Sequence, residues 1–351
     1  MDAKKMYISS FRIGVTTFSV CLCLVIFLFL STGSRAQNGK TDGSSEKETC
    51  DPLLFEEHNV RLIPHPLLKM STFYDDYVFL VDKSRQQLIL FRYDGNYHRI
   101  KTYECTTGSN PGNKQEIGDM RTPEGVYFFT AVREKSKLIS QYGRNEAEQF
   151  GIRAFDTNYP NEFDRILKKN GDDIWLHATD NPERINQPFG TKGCIVINND
   201  DIEEISQFIT LNQTPIIIVE QLEYFPQSTL QLEFSGILEF INNWRTSWEQ
   251  RDFDKYETAY SSEFYGNNKN LQKWLLYKKG QLQYYDRVNI SISNMRIFKV
   301  DEYYYIQYYQ LFRSESYKDE GIKQLYIINE DGALKIISEK WTATDLQTSA
   351  R

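Results

Sequence analysis

The stretch that decides the fold is Ile174-Trp175-Leu176-His177, followed along the chain by Gly190-Thr191-Lys192-Gly193-Cys194-Ile195-Val196-Ile197. Each part contains a short apolar run bounded by polar or glycine residues, a pattern that predicts two buried strands. His177 closes the first run, and Cys194 stands directly before the second. We therefore expect both side chains at strand ends, joined by a polar loop.

A thiol next to an imidazole is the residue pair that nucleophilic catalysis uses. A cysteine becomes a good nucleophile when a neighbouring base lowers its pKa from about 8.5 toward neutrality. Gly193 leaves the backbone before Cys194 uncrowded, so the amides of Gly193 and Cys194 could face a developing oxyanion. From these residues alone a structural alternative stays open, in which the cysteine is a small buried hydrophobe and the histidine a hydrogen-bonded structural residue.

Four ordered motifs resemble the signature of the L,D-transpeptidase (YkuD-type) catalytic domain. One of them has two parts, His177-Ala178 and Thr191-Lys192-Gly193-Cys194-Ile195. The other matching segments lie upstream: Val81 to Leu88, Thr106-Thr107-Gly108 and Thr122 to Tyr127. The resemblance covers roughly residues 75–222 and implies a mostly β, β-sandwich-like catalytic module.

The resemblance implies a reaction on peptidoglycan stem peptides without metal or cofactor. Cys194 would attack the carbonyl of a diaminopimelate bonded to a terminal D-Ala, and His177 would accept the thiol proton. The Ala178 carbonyl would orient the imidazole, and the amides of Gly193 and Cys194 would stabilise the oxyanion. The thioester would then be resolved by an amine, giving a 3-3 crosslink, or by water, as in an L,D-carboxypeptidase.

Three further residues are expected to contact the substrate: Trp175, Thr191 and Lys192. Two positions depart from the commonest family pattern. Ala178 stands where Gly, Ser or Thr is usual, and Val196 stands where an Arg is usual. A missing Arg removes a cation that could orient a substrate carboxylate, and Lys192 could replace it.

The N-terminus predicts export. Residues 1–36 combine a basic start with the apolar run Phe18 to Leu30 and small residues near Ala36, which is typical of a cleaved signal peptide. A retained membrane anchor is the alternative, and it would be the only membrane contact. Residues 37–49 are all polar or glycine and predict a flexible linker. The expected location is the periplasm.

Charge and cysteine content narrow the function classes. The net charge of −7 makes nucleic-acid binding a poor candidate. Beyond the signal three cysteines remain, Cys50, Cys105 and Cys194, and an odd count in an exported protein indicates at least one free thiol. We expect Cys194 to be free, whereas Cys50 and Cys105 could form a disulfide or remain two buried thiols.

Three segments follow the linker: an N-terminal extension (50–75) of short helical or extended pieces packed on the catalytic domain, the catalytic domain (76–225), and a second domain (230–345). In the second domain, apolar spacing predicts a helix over 234–260, and strand-like runs follow at 288–298, 303–312, 322–328 and 333–341. This order resembles the cone-shaped, α+β nuclear-transport-factor-like (SnoaL-type) fold with a curved antiparallel sheet.

The second domain is rich in aromatic residues, which either line a pocket for a ligand or glycan or simply fill the core: Tyr256, Tyr260, Phe264, Trp274 and Tyr303 to Tyr305. No carboxylate–histidine pair is evident there, so we expect this domain to bind or position rather than catalyse. The two-domain pairing resembles L,D-carboxypeptidases that set cell shape in some curved bacteria, which favours water as the acceptor.

Two other function classes remain open. A non-catalytic wall-binding protein would keep the fold with a disarmed site, and a sortase-like cysteine transpeptidase would need an Arg near the cysteine. Thiol reactivity separates these classes, because an activated Cys194 would be the single fast-reacting thiol near neutral pH.

Overall fold

The computed structural model describes residues 60–285 and 287–344 of the 351-residue chain. The described residues belong to one compact unit. The predicted signal or anchor (1–36), the linker (37–49) and Cys50 lie outside the described residues.

Within the described segments, no helix has the length and apolar character needed to cross a membrane.

The first part of the chain is mainly β. Its elements, in chain order, are β1 (Leu62–Pro64), β2 (Leu67–Lys69), β3 (Tyr77–Asp82), β4 (Gln87–Tyr93), β5 (Tyr97–Glu104), β6 (Gly125–Glu134), α1 (Lys135–Tyr142), α2 (Arg144–Ala147), β7 (Arg153–Thr157), α3 (Glu162–Ile166), β8 (Trp175–His177), β9 (Ile195–Val196), α4 (Asn199–Ser206), β10 (Pro215–Val219) and β11 (Tyr224–Pro226). Two 3-10 turns, Glu148–Phe150 and Pro182–Arg184, flank β7 and β8.

Eight of these strands form one curled sheet, which we call the first sheet, in the order β5-β4-β3-β10-β6-β7-β8-β9. Its far edge is the parallel pair β8–β9, in which Leu176 lies opposite Ile195 and His177 opposite Val196. The two strands predicted from the opening stretch are therefore neighbours, and the predicted mostly β architecture is confirmed.

The central strands of the first sheet are buried on both faces. In β3, Phe79 and Val81 belong to one apolar cluster, which also holds the helix α4. The alternate residues Val78 and Leu80 belong to a second cluster, which continues into the C-terminal half of the chain. Since successive side chains of a strand point to opposite faces, the C-terminal half covers one face of the central strands of this sheet.

The C-terminal half is α+β, as predicted. Its elements are α5 (Gln227–Glu249), α6 (Phe253–Thr258), β12 (Tyr265–Gly266), β13 (Lys269–Asn270), α7 (Leu271–Tyr284), β14 (Asn289–Val300), β15 (Tyr303–Arg313), β16 (Lys318–Glu330) and β17 (Ala333–Ala343). The long antiparallel strands form the second sheet, in the order β17-β16-β15-β14-β2.

The helix predicted over 234–260 is two helices. The chain turns at Arg251, whose φ is 61°, and Asp252 caps α6 by accepting a hydrogen bond from the Lys255 N–H. A left-handed residue cannot continue an α-helix, so α5 ends before it. At its other end α5 begins earlier than predicted, at Gln227.

The N-terminal extension reaches the second sheet. β1 pairs with β11, and β2 pairs with β14, so the extension is extended rather than helical where it is described. The sequence predicted that the extension packs on the catalytic domain. In addition, its strand β2 forms an edge strand of the second sheet.

Polar contacts also join the two halves. The Val126 N–H donates to the Tyr303 hydroxyl at 2.9 Å. The guanidinium of Arg296, which is fully buried, donates to the Gln213 carbonyl at 2.8 Å and to Gln307 Oε1 at 2.9 Å. These bonds fix β14 and β15 against the first domain.

Candidate active site

His177 ends β8 and is buried. Its Nδ1 lies 2.7 Å from the carbonyl oxygen of Ala178, the contact that was expected to orient the ring. With Nδ1–H as donor to that carbonyl, Nε2 carries the lone pair and is available as a base. Burial lowers the pKa of His177 from 6.5 to about 4, and the nearby charge of Arg184 lowers it as well. The imidazole is therefore neutral at neutral pH.

Cys194 directly precedes β9 and is half-buried. In the β8–β9 register it lies opposite Trp175, two positions before His177, so the thiol and the imidazole share one face of two paired strands. Its thiol donates to the carbonyl oxygen of Asp173 at 3.4 Å. Among the hydrogen bonds of the described residues, none joins the thiol to His177.

The protonation state of Cys194 differs from the sequence expectation. Burial raises the pKa of this thiol from 9.0 to about 11, although the backbone of Trp175 and the charge of Arg184 act in the opposite direction. The direction of this shift is opposite to the predicted lowering toward neutrality. The pair rests as a neutral thiol beside a neutral imidazole, which suits general-base catalysis.

The turn before Cys194 is held by Thr191. The Thr191 hydroxyl accepts from the Gly193 N–H at 3.0 Å and donates to the Cys194 carbonyl at 2.7 Å. The sequence suggested that Thr191 contacts the substrate. Its side chain is buried and its hydroxyl already makes two hydrogen bonds, so the structure favours a role in positioning Cys194.

Gly193 is required by both conformation and space. Its φ is 132°, and a Cβ at this position would lie 2.8 Å from the Arg121 carbonyl oxygen. Of the two amides expected to form the oxyanion hole, the Gly193 N–H is taken by Thr191. The Cys194 N–H has no hydrogen-bond acceptor within the described part of the chain, so it is the one free to stabilise an oxyanion.

The upstream motifs converge on this turn. The Thr122 hydroxyl accepts from the Gly108 N–H at 2.8 Å and donates to the Gly193 carbonyl at 2.9 Å. Thr106 and Val196 exchange two backbone hydrogen bonds of 2.9 and 3.0 Å. The motifs that are separate in sequence therefore frame a single turn.

The remaining predicted contacts, Trp175 and Lys192, differ from each other. Trp175 is only 3% exposed and packs against Phe150 and Tyr142, with the Arg133 guanidinium 4.4 Å from its ring. Trp175 belongs to the apolar cluster on which Cys194 packs, and it offers little exposed surface to a substrate. Lys192 is exposed and could reach a bound substrate.

Arg184 was missed by the sequence analysis. It ends the 3-10 turn between His177 and Cys194, is half-buried, and acts electrostatically on both residues. Its Nη1 donates to the Gln149 carbonyl at 2.9 Å. An isolated arginine in a polar loop has no periodicity or motif that would have singled it out.

The second domain contains a cavity of about 300 Å³. Of the aromatic residues expected there, Tyr256 and Trp274 line it, whereas Tyr260, Phe264, Tyr303 and Tyr305 are buried in the core. Its charged lining includes Lys278, whose ammonium lies 4.9 and 4.7 Å from the rings of Trp248 and Trp274, and the buried ion pair of Lys323 with Glu339.

Two family models match the chain. The L,D-transpeptidase catalytic domain (YkuD) matches residues 76–218, and the Cds6 C-terminal NTF2-like domain matches residues 236–340. The curated relative YafK of Escherichia coli (strain K12), a candidate L,D-transpeptidase, is 25% identical over 135 residues. That alignment covers 38% of this chain and 47% of YafK, so the chain spans about half the length of this relative.

Solved structures resemble both domains together. Bd1075 of Bdellovibrio bacteriovorus is 31% identical, with a TM-score of 0.70 over 82% of this chain and 100% of that chain. The helical cell shape determining protein Pgp2 of Campylobacter jejuni is 22% identical, with a TM-score of 0.64 over 79% of this chain and 95% of that chain. At that identity, Pgp2 is informative for the fold alone.

Proposed function

The chain belongs to the family in which an L,D-transpeptidase (YkuD) catalytic domain is joined to a C-terminal NTF2-like domain, and from this premise we propose that it is a cysteine enzyme that trims peptidoglycan stem peptides. The bond cleaved is the one between diaminopimelate and a terminal D-Ala of a tetrapeptide stem. The observation that carries the proposal is the shared face of Cys194 and His177 on paired strands, with Nε2 of the imidazole unoccupied.

The first step forms an acyl-enzyme. Sγ of Cys194 attacks the diaminopimelate carbonyl carbon while the thiol proton moves to Nε2 of His177. The free N–H of Cys194 stabilises the oxyanion. The C–N bond then breaks, the imidazolium gives its proton to the leaving amine of D-Ala, and a thioester remains on Cys194.

The second step releases the product. His177 takes a proton from a water molecule as that water attacks the thioester carbonyl, and the imidazolium returns this proton to Sγ of Cys194 when the C–S bond breaks. The product is a stem tripeptide, as an L,D-carboxypeptidase would give. An amine acceptor in place of water would give a 3-3 crosslink, which is the second outcome the same site supports.

The neutral resting pair supports this order of events. Because the pKa of Cys194 is raised and that of His177 is lowered, proton transfer waits until the nucleophile attacks. A protonated thiol reacts more slowly with alkylating agents and oxidants than a thiolate does.

We extend the proposal to the location of the enzyme, its role in cell shape and the use of its second domain. The basic start and apolar run of residues 1–36 support action in the periplasm, with a membrane contact only if that segment is retained. The fold shared with the helical cell shape determining protein Pgp2 supports a role in cell shape. The cavity of the second domain, lined by indole rings and lysines, would hold a ligand or glycan and position the enzyme on its substrate.

The alternatives fit less well. A disarmed wall-binding protein has no need of an oriented imidazole beside a cysteine, and here both are present with the Ala178 carbonyl in place. A sortase-like enzyme would use its arginine at the oxyanion. Arg184 is close enough to Cys194 to act on the thiol, which meets only the requirement for an arginine near the cysteine. The family to which the chain belongs does not support the sortase-like class.

The test is product analysis with defined substrates. Purified protein is incubated with a tetrapeptide muropeptide, and the products are separated by mass. We expect a tripeptide monomer and free D-Ala from the native protein, and no turnover from Cys194→Ala with an unchanged circular dichroism spectrum. A 3-3 crosslinked dimer would assign the amine as acceptor, and retained turnover in Cys194→Ala would refute the mechanism.

A further inference from the structure

We propose that Arg184 binds the free C-terminal carboxylate of the substrate and thereby restricts the enzyme to stems that end one residue beyond the attacked carbonyl. This assignment rests on the proposed function, because it names the part of the substrate that the same site recognises. Three observations carry it: the place of Arg184, its lack of an acidic partner, and the fixed loop that presents it.

The place of Arg184 is set by contacts on both sides of the site. Its Nη1 bonds the carbonyl of Gln149, and the next residue, Phe150, lies with its ring 5.3 Å from the imidazole of His177. The guanidinium therefore stands over the same 3-10 turn that covers the catalytic histidine. It is also close enough to Cys194 to act electrostatically on the thiol.

The loop that carries Arg184 is tied down along its length. At its start, the Asp180 N–H donates to the Glu148 carbonyl at 2.9 Å. Near its end, the Thr106 hydroxyl donates to the Gln187 carbonyl at 2.7 Å and accepts from the Gly190 N–H at 2.8 Å. An arginine on a fixed loop loses less freedom when it binds a ligand, so it is suited to recognition.

Arg184 is unpaired although its neighbours are not. Around the site, Lys114 pairs with Asp119 at 2.7 Å, and Arg133 pairs with Asp156 at 2.6 Å. Within residues 60–285 and 287–344, no carboxylate lies in ion-pair distance of Arg184, in a chain with more acidic than basic residues. Apart from the bond to Gln149, its N–H donors are free for a ligand.

The proposed substrate carries a carboxylate that could pair with the Arg184 guanidinium. In a stem ending in D-Ala, the terminal carboxylate follows the scissile amide by a single α-carbon, so it must lie near the nucleophile when the carbonyl does. A guanidinium binds a carboxylate with two parallel hydrogen bonds. A longer stem would place a neutral amide there and would leave the half-buried cation unpaired.

A role in forming the thiolate is less consistent with the structure. The thiol stays protonated despite the arginine, because burial outweighs the attraction. The charge of Arg184 is thus not used up by Cys194 in the resting protein.

The experiment uses two substrates that differ in one group: a stem tetrapeptide with a free C-terminal carboxylate and the same peptide as its C-terminal carboxamide. We expect the native protein to prefer the carboxylate by about 100-fold in kcat/KM, with most of the difference in KM. Arg184→Gln should lower kcat/KM for the carboxylate peptide about 100-fold and leave the carboxamide peptide nearly unchanged. Arg184→Lys should recover part of the preference.

The matched control is Arg165→Gln, which removes an exposed arginine on α3 and should keep the full preference. Equal losses for both peptides in Arg184→Gln would overturn the assignment and would point to the thiol or oxyanion instead. Binding to Cys194→Ala protein, measured by calorimetry, decides the question separately from turnover. If the native protein cleaves neither peptide, the proposed function fails, and equal affinity for the two peptides overturns the role of Arg184 on its own.

Discussion

At the scale of single residues, Cys194 and His177 depend on burial as much as on each other. The raised pKa of Cys194 keeps the thiol uncharged, and the lowered pKa of His177 keeps its Nε2 unprotonated. His177 can therefore act as an acid only after Nε2 has accepted a proton. The chemistry therefore depends on geometry, on the Nδ1 contact to Ala178 and on the register of β8 with β9.

This state predicts the pH dependence of kcat/KM. His177 must be neutral to act as a base, and its pKa lies at about 4, so activity should be lost only as pH falls through that value and not near 6.5. Activity should stay level through neutrality, because the thiol, with a pKa of about 11, does not ionise there. The measurement is kcat/KM for the tetrapeptide between pH 3.5 and about 9. An acidic limb between about 6 and 7 would instead show that the His177 imidazole keeps an ordinary pKa, and loss of activity above about pH 8 would indicate a preformed thiolate–imidazolium pair.

At the scale of elements, the turn Gly190 to Cys194 is the feature that depends most on one side chain. The Thr191 hydroxyl makes two of the bonds that shape it. Its neighbour Gly193 is further held by Thr122.

We predict that Thr191→Val separates shape from chemistry in this turn. Valine keeps the volume but leaves the Gly193 N–H and the Cys194 carbonyl without their partner, which costs about 1–3 kcal/mol for each buried group left unsatisfied. A shift of the nucleophile by about 1 Å should lower kcat roughly 100-fold. Thr191→Ser keeps the hydroxyl and should stay close to the native protein in both urea unfolding and kcat. Equal behaviour of the two variants would show that the hydroxyl does not hold the turn.

Much of the element order could be predicted from sequence. The strands around Tyr77, Leu88 and Val126 and the four C-terminal strands follow from apolar runs, and the structure confirms their positions. The helix break at Arg251 could not be predicted, because the apolar spacing continues across this residue and gives no sign of its left-handed conformation.

The candidate site was predicted unevenly for a similar reason. His177 and Cys194 carry a local motif, whereas Arg184 and the pairing of Thr122 with Gly193 depend on contacts between distant segments. The sign of the Cys194 pKa shift was mispredicted because the degree of burial is a property of the folded chain. Neither the motif nor its spacing contains that information.

At the scale of the whole molecule, the two domains share one core. Phe128 of β6 and Tyr305 of β15 have ring centroids 5.5 Å apart, and both belong to the cluster that includes Val78 and Leu80. The buried Arg296 crosses this boundary by its bond to Gln213. We therefore expect the catalytic and NTF2-like domains to unfold together.

Arg296→Met tests this coupling. Methionine fills similar space but leaves the Gln213 carbonyl and Gln307 Oε1 without their buried donor, so we expect a loss of about 2–4 kcal/mol in the free energy of unfolding. Urea unfolding should remain a single transition in both circular dichroism and fluorescence. The control Arg287→Met removes a side chain that is 87% exposed and should change stability by less than about 0.5 kcal/mol. Two separate transitions in the native protein would show that the domains are independent.

The pairing of β2 with β14 has a consequence for biosynthesis. A polypeptide leaves the ribosome N-terminus first, so β2 emerges early while its partner strand, Asn289–Val300, is made near the end. Until then, the face of the central strands that packs against the C-terminal half is uncovered. A translation product halted at this point would be prone to aggregate. The packing of the two domains against each other can therefore be completed only when nearly the whole polypeptide is available.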